Sequence, residues 1–216
     1  MTANAPAARG TLYIVSAPSG AGKTSLVAAL LESVEAVEVS VSHTTRKPRA
    51  SEVDGQHYHF VTAETFLGMI EDGQLLEHAK VFDNFYGTAR ASVDERLDAG
   101  MDVILEIDWQ GARQVRAAVP DAHSIFILPP SRDELERRLR GRGQDEEDVI
   151  QRRLRDAESD CTHFREYDHT VVNADFDQAV RDLACIFRAN RLRTVEQEVR
   201  SAPTIGNLLA GAPGSA

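Results

Sequence analysis

Apolar residues come in short unbroken runs at residues 12–15, 103–105 and 125–128. Runs this short, bounded by turn residues, predict strands buried on both faces of a parallel sheet, the second extending over 102–108. Residues 37–42 alternate β-branched and polar positions instead, as a half-buried strand does, and residues 170–172 predict a last short strand. Between the strands the spacing turns helical. Apolar positions at 26–31 follow the first strand. Thr62 is placed to cap a helix whose Phe66, Leu67 and Ile70 share a face. A helix over 92–99 ends at Gly100. Ser131-Arg-Asp-Glu134 has the form of a capping box and opens a helix through about Arg140, stopped by Gly141-Arg142-Gly143. Further helices are expected over 146–160 and, with Val180, Leu183, Ala184 and Phe187 on one face, over 176–198. Strand and helix alternate at both ends of the chain, which predicts an α/β fold with a parallel sheet flanked by helices. The middle departs from this. A basic polar stretch at 43–49, a turn-rich 51–55, a short strand over 57–61 and a return through 75–82 and 84–88 form a segment apart from the alternating pattern. The Ala-, Gly- and Pro-rich tail from Ser201 is expected to have little fixed structure.

Composition narrows the class. A chain of 216 residues, 42% hydrophobic and 27% charged, suits one globular domain. No apolar run approaches the ~20 residues needed to cross a bilayer, and the small polar start is unlike a signal peptide, so the expectation is a cytoplasmic protein with no membrane role. A net charge of −10 argues against nucleic acid as a partner. Cys161 and Cys185 form no C-x-x-C pair and read as two buried thiols. A homo-oligomer is left open.

One stretch carries chemistry outright. Ser16-Ala17-Pro18-Ser19-Gly20-Ala21-Gly22-Lys23-Thr24-Ser25 lies between the first strand and the first helix. Glycines at 20 and 22 let successive N–H groups turn inward around an anion at a helix start. The spacing puts Lys23 on the β- and γ-phosphates of a nucleoside triphosphate and the Thr24 hydroxyl on Mg²⁺. The usual pattern has glycine where this chain has Ala17. Arg46 and Arg49, on a short turn, offer planar forks for phosphate oxygens in an otherwise acidic chain. Glu106 and Asp108, two apart, point to one face at the carboxyl end of a strand, where ligands gather in open α/β sheets. The pair His57 and His59 lacks a third ligand nearby, so a metal site there is not expected.

Taken together, residues 16–24, Ser42-His-Thr-Thr-Arg46-Lys-Pro-Arg49, Glu77, Tyr86-Gly-Thr88, residues 104–111, Gly141-Arg142-Gly143 and Asn173 resemble the guanylate kinase family over about 10–195. The resemblance implies a P-loop NTPase core (about 10–41, 93–133 and 163–195), a mixed α/β GMP-binding insert (about 42–92) and a helical lid (about 134–162), with flexible tails at 1–9 and 201–216. It implies Mg²⁺-dependent transfer of the γ-phosphoryl of ATP to GMP. Residues 16–25 and Asn173 would serve ATP. Ser42, Arg46, Arg49, Tyr58, Glu77, Tyr86, Thr88, Glu106 and Asp108 would serve GMP, the phosphate falling to Arg46, Arg49, Tyr58 and Tyr86. Lys23, Arg46, Arg138, Arg142 and Arg153 would be catalytic, the last three closing over the triphosphate. Thr24 and Asp108 would hold Mg²⁺, directly or through water. The family often has aspartate where this chain has Glu106. Glu77 would set base choice, since one carboxylate accepts from both N1–H and N2–H₂ of guanine while adenine offers an acceptor at N1. A kinase for another phosphorylated acceptor, a non-catalytic binding module and a nucleotide-hydrolysing switch stay open as alternatives.

Overall fold

The computed structural model describes residues 8–81, 83–141 and 147–210. Strand β1 (Leu12–Ser16) is buried at every position. Its side chains divide by parity, Tyr13 and Val15 entering one apolar cluster and Leu12 and Ile14 the other, because alternate strand residues face opposite ways. The phosphate loop then leads into α1 (Lys23–Ser33), followed by β2 (Val37–Val39). The insert contains β3 (His43–Thr44), β4 (His59–Phe60), α2 (Ala63–Glu71), β5 (Leu75–Val81) and β6 (Asn84–Ala89). The core resumes with α3 (Arg90–Asp98), β7 (Asp102–Glu106), α4 (Trp109–Ala118) and β8 (His123–Leu128). Then come α5 (Arg132–Arg140), α6 (Glu147–Cys161), β9 (His169–Val172), α7 (Phe176–Arg191), α8 (Thr194–Arg200) and α9 (Ala202–Leu209).

Among the described residues the core sheet runs β2-β7-β1-β8-β9, parallel throughout. Leu26, Val27 and Leu30 of α1 and Ala179, Leu183 and Phe187 of α7 cover one face with Tyr13 and Val15. Val93 and Leu97 of α3 and Ala112 and Val115 of α4 cover the other. Leu76 of β5 joins that second cluster, so the insert is seated on the core through α4. The insert's sheet runs β4-β3-β6-β5, with β5 and β6 antiparallel. Leu135, Leu139, Ile150, Leu154 and Ala157 of α5 and α6 pack into a small core of their own. Beyond α6, a short 3₁₀ turn (Thr162–Glu166) brings His163 flat against Trp109, ring centroids 3.9 Å apart, while Glu166 accepts from Arg113 and Arg116 of α4.

Several expectations are corrected. β2 stops at Val39 rather than residue 42, because the chain leaves the core there and Ser42 O accepts instead from His59 N at 2.9 Å. β7 ends at Glu106 rather than 108, and the unforeseen α4 begins one residue past Asp108, its N-cap. The helix expected over 176–198 breaks after Arg191, whose side chain turns in to Asp102, as Asn190 turns in to Tyr13. The tail forms α9, with proline at its start where the missing N–H costs nothing, although none of its residues is buried. Cys161 is half-buried and Cys185 exposed, the latter lining an open groove between α7 and β9. The expected tail residues 1–7 and 211–216 lie outside the described residues.

Candidate active site

Gly20 and Gly22 take φ values of +91° and +94°, and Gly22 stands at the N-cap of α1 with no side chain capping the helix. The first N–H groups of α1 are thus left for an anion, and their partial positive charge favours one. Ala36 is the one non-glycine with positive φ among the described residues, so the backbone at Ala17 does not require the glycine of the usual pattern. The loop is braced from behind. Ala21 O accepts from Asn173 Nδ2 at 2.8 Å and from Arg138 Nη1 at 3.2 Å, while Arg138 Nη2 donates to Asn173 O at 3.0 Å. Glu134 receives Arg138 Nε at 2.7 Å. Arg138, expected to close over the triphosphate, here holds the loop's backbone, beside Gly22. Ser16, buried at the end of β1, faces away from solvent beneath the loop.

On the open side of the loop, Lys23 Nζ lies 3.9 Å from Glu106 Oε2, and Thr24 Oγ1 donates to the same oxygen at 3.4 Å. Burial pushes the Lys23 amine down, with the charges of Glu106 and Asp108 opposing the shift. Asp108 is differently employed: Oδ1 accepts from Gly111 N at 2.9 Å and Oδ2 from Gln110 Nε2 at 3.3 Å. Carboxylate and hydroxyl oxygens are the hard donors that Mg²⁺ takes, so this corner fits the ion, with Glu106 rather than Asp108 nearest to Thr24.

Ala17, Lys23, Thr24, Glu106 and Asp108 line a cavity of about 560 Å³ whose far wall is made by Ser42, Tyr58, Glu77 and Tyr86 of the insert. A β-bulge at Leu75 to Glu77 shapes that wall. It lets Leu76 and Glu77 both turn inward and sets Glu77 opposite Thr88. Glu77 is only 4% exposed, and its Oε1 accepts from the buried Thr88 hydroxyl at 2.7 Å. Thr88 lies in turn 3.3 Å from Ser42 Oγ. Burial pushes the Glu77 carboxyl up to about 7; the Thr88 hydroxyl opposes the shift and the Asp108 charge adds to it. Tyr58 and Tyr86 meet edge to face at 5.9 Å, and burial raises the Tyr58 hydroxyl.

Arg46 sits at this end with its guanidinium 5.5 Å from the centre of the Tyr58 ring. Both terminal nitrogens donate to Glu52, at 2.9 and 2.8 Å, and Glu52 also accepts from Arg49 N at 2.7 Å. Those donors hold the Glu52 carboxyl down to about 2. Glu52 and His57, both lining the cavity, were missed in the sequence. No periodicity marks Glu52, six residues beyond Arg46 in a turn-rich stretch. Arg49 engages Glu52 through its backbone and is itself exposed. Arg153, on α6, is not among the residues lining the cavity. Arg142 lies outside the described residues. No group of three or more His, Cys, Asp or Glu side chains placed to hold a metal ion occurs among the described residues.

Comparison with known proteins bears on this geometry. The guanylate kinase family pattern matches residues 9–190. The chain is 57% identical over 205 residues to the guanylate kinase of Chromohalobacter salexigens, covering 95% of each. It is 59% identical over 200 residues to that of Alkalilimnicola ehrlichii, covering 93% of this chain and 98% of the relative. Against the Escherichia coli K12 guanylate kinase the identity is 56% over 205 residues, 94% of this chain and 99% of the other. The solved guanylate kinase of Anaplasma phagocytophilum superposes with a TM-score of 0.74 at 34% identity, over 95% of this chain and 96% of that one. A match of this extent, on a chain whose phosphate loop and buried carboxylate open into one cavity, shows that it belongs to the guanylate kinase family and is a nucleoside monophosphate kinase.

Proposed function

We propose that the protein transfers the γ-phosphoryl group of ATP to GMP, giving ADP and GDP, with Mg²⁺ bound at the Thr24 corner. The observation that carries this is the buried carboxylate of Glu77, which shares a single cavity with Lys23 at the uncapped start of α1. In this scheme the loop N–H groups and Lys23 hold the triphosphate. Thr24 and Glu106 would hold Mg²⁺, Asp108 would contribute through water, and the bound ion would supply neutralisation of phosphate charge. Arg46, with Arg49, Tyr58 and Tyr86, receives the GMP phosphate once Glu52 shares or releases the fork. Ser42, Glu77 and Thr88 read the base. A GMP phosphate oxygen forms the bond to the γ-phosphorus as the bond from that phosphorus to the β,γ-bridging oxygen breaks, and ADP leaves with the electron pair. GMP's second ionisation lies near pH 6, so the nucleophile is already an anion at about neutral pH and no histidine base is needed. The difficulty is repulsion between anions, which Lys23 and the arginines relieve by charge and position. Arg153 belongs to a lid formed by α5 and α6, and the GMP-binding insert spans about 42–92. Work on ATP and GMP is consistent with a cytoplasmic location, and no helix among the described residues is long and apolar enough to cross a membrane. A coupled kinase assay with Mg²⁺, ATP and a panel of acceptors tests the assignment. Turnover with GMP far above AMP, CMP and UMP is expected, and inert GMP beside an active rival overturns it.

A further inference from the structure

Beneath the base-reading carboxylate lies a residue that the reaction scheme leaves unused. Gly111 is the third residue of α4, and a β-carbon built on it would stand 2.6 Å from Glu77 Oε2 and 3.3 Å from the Glu77 carboxyl carbon. Oε1 thus accepts from the Thr88 hydroxyl while Oε2 lies against the bare face of Gly111. The backbone gives no reason for a glycine here, since Gly111 is not among the residues with positive φ. Glycine inside a helix weakens it relative to alanine, so space is the reason that remains. The first turn of α4 is capped from within, Gly111 N donating to Asp108 Oδ1 at 2.9 Å. One turn further along α4, Gln114 Oε1 accepts from His78 N at 3.1 Å and its Nε2 donates to His78 O at 2.8 Å. That amide takes the place of a missing neighbour strand on the open edge of β5, adjoining Glu77.

We propose that α4 positions the base reader: Gly111 fixes how deep the Glu77 carboxylate sits, and Gln114 fixes the register of β5 that carries it. Gly111 is a positioning residue, acting through Glu77, and the role rests on Glu77 being the guanine acceptor. A methyl group at 111 forces the carboxylate out of its seat towards the cavity. Its two oxygens then no longer meet N1–H and N2–H₂ together.

The test uses the full-length Gly111→Ala, Glu77→Ala and double variants, with steady-state kinetics and thermal unfolding. Gly111→Ala is expected to raise KM for GMP by about 10- to 100-fold and narrow the GMP-to-AMP ratio of kcat/KM, with KM for ATP unchanged. Its Tm falls. In the Glu77→Ala background the same substitution meets Ile107 Cδ1 at an ordinary 3.4 Å, the carboxylate being gone, and Tm rises by about 2 °C, as better helix propensity dictates. A wild-type KM for GMP in Gly111→Ala, or equal Tm losses in both backgrounds, overturns the role. Should Gly111→Ala fold too poorly for kinetics, the comparison of the double variant with Glu77→Ala still decides. If Glu77→Ala itself keeps the preference for GMP over AMP, the assignment of Glu77 fails; if only Gly111→Ala keeps it, the assignment stands and the positioning role alone falls.

Discussion

Glu77→Gln changes one atom type in a seat that is 4% exposed, and its consequence for stability is calculable. The carboxyl, ordinarily near 4.5, is raised to about 7, first by burial. The unfolded chain therefore gives up this proton near 4.5 while the folded protein keeps it until about 7. Between those values the folded state binds more protons, so this group's contribution to stability is fully present below about pH 4.5 and falls as pH rises. At about 1.4 kcal/mol per unit, the loss is about 3 kcal/mol by pH 8, most of it between about pH 5 and pH 8. Glutamine keeps the shape, cannot ionise and escapes the loss. Urea unfolding of both proteins across that range should show the variant's advantage growing with pH, while all other titrations cancel in the difference. An advantage that stays flat would refute the desolvation of Glu77. The same proton governs substrate. On the proposed reading the ionised carboxylate accepts from guanine, so wild-type KM for GMP should fall as pH rises through 7, whereas the variant's stays about 100-fold high, two charge-assisted bonds having been lost. The ratio of the two KM values removes the phosphate's own ionisation near about pH 6.

Other outcomes follow from the same geometry. Lys23→Ala should lower kcat by about 10³-fold or more with Tm kept or raised, since its amine is buried at a cost; a variant retaining a tenth of the turnover would refute its role. Gly22→Ala should lose about 1–2 kcal/mol from its left-handed backbone alone and raise KM for ATP, because its β-carbon would meet Asn173 Nδ2 at 2.6 Å. Asp102, wholly buried, accepts from Thr11 N at 2.8 Å and Arg191 Nε at 2.9 Å. Asp102→Ala leaves Arg191 without its carboxylate and should destabilise by about 3–5 kcal/mol in calorimetry.

The parallel sheet was legible because strands buried on both faces leave unbroken apolar runs, as at residues 12–15 and 125–128. The phosphate loop was legible because glycine and lysine must stand at fixed spacings there. Short-range signals also held where a side chain closes a turn: Thr62 and Ser131 cap α2 and α5 as their spacing predicts. What escaped was set by tertiary contact. Helix α4 shows only Gly111, Ala112 and Val115 as buried residues, too few to mark a helix in sequence. The bulge that turns Glu77 inward leaves no mark in composition, and Glu52 finds Arg46 only because the turn between them folds back. Asp108 reads as a ligand by its place after a strand, yet a helix N-cap is equally well served by aspartate at that place.

The chain holds one tryptophan. Its indole lies flat on His163 where the segment following α6 returns to α4, so swinging of α6 would peel the two rings apart or press them closer. The protein thus carries a built-in optical gauge: its ultraviolet emission should shift when nucleotides draw the lid, without any label.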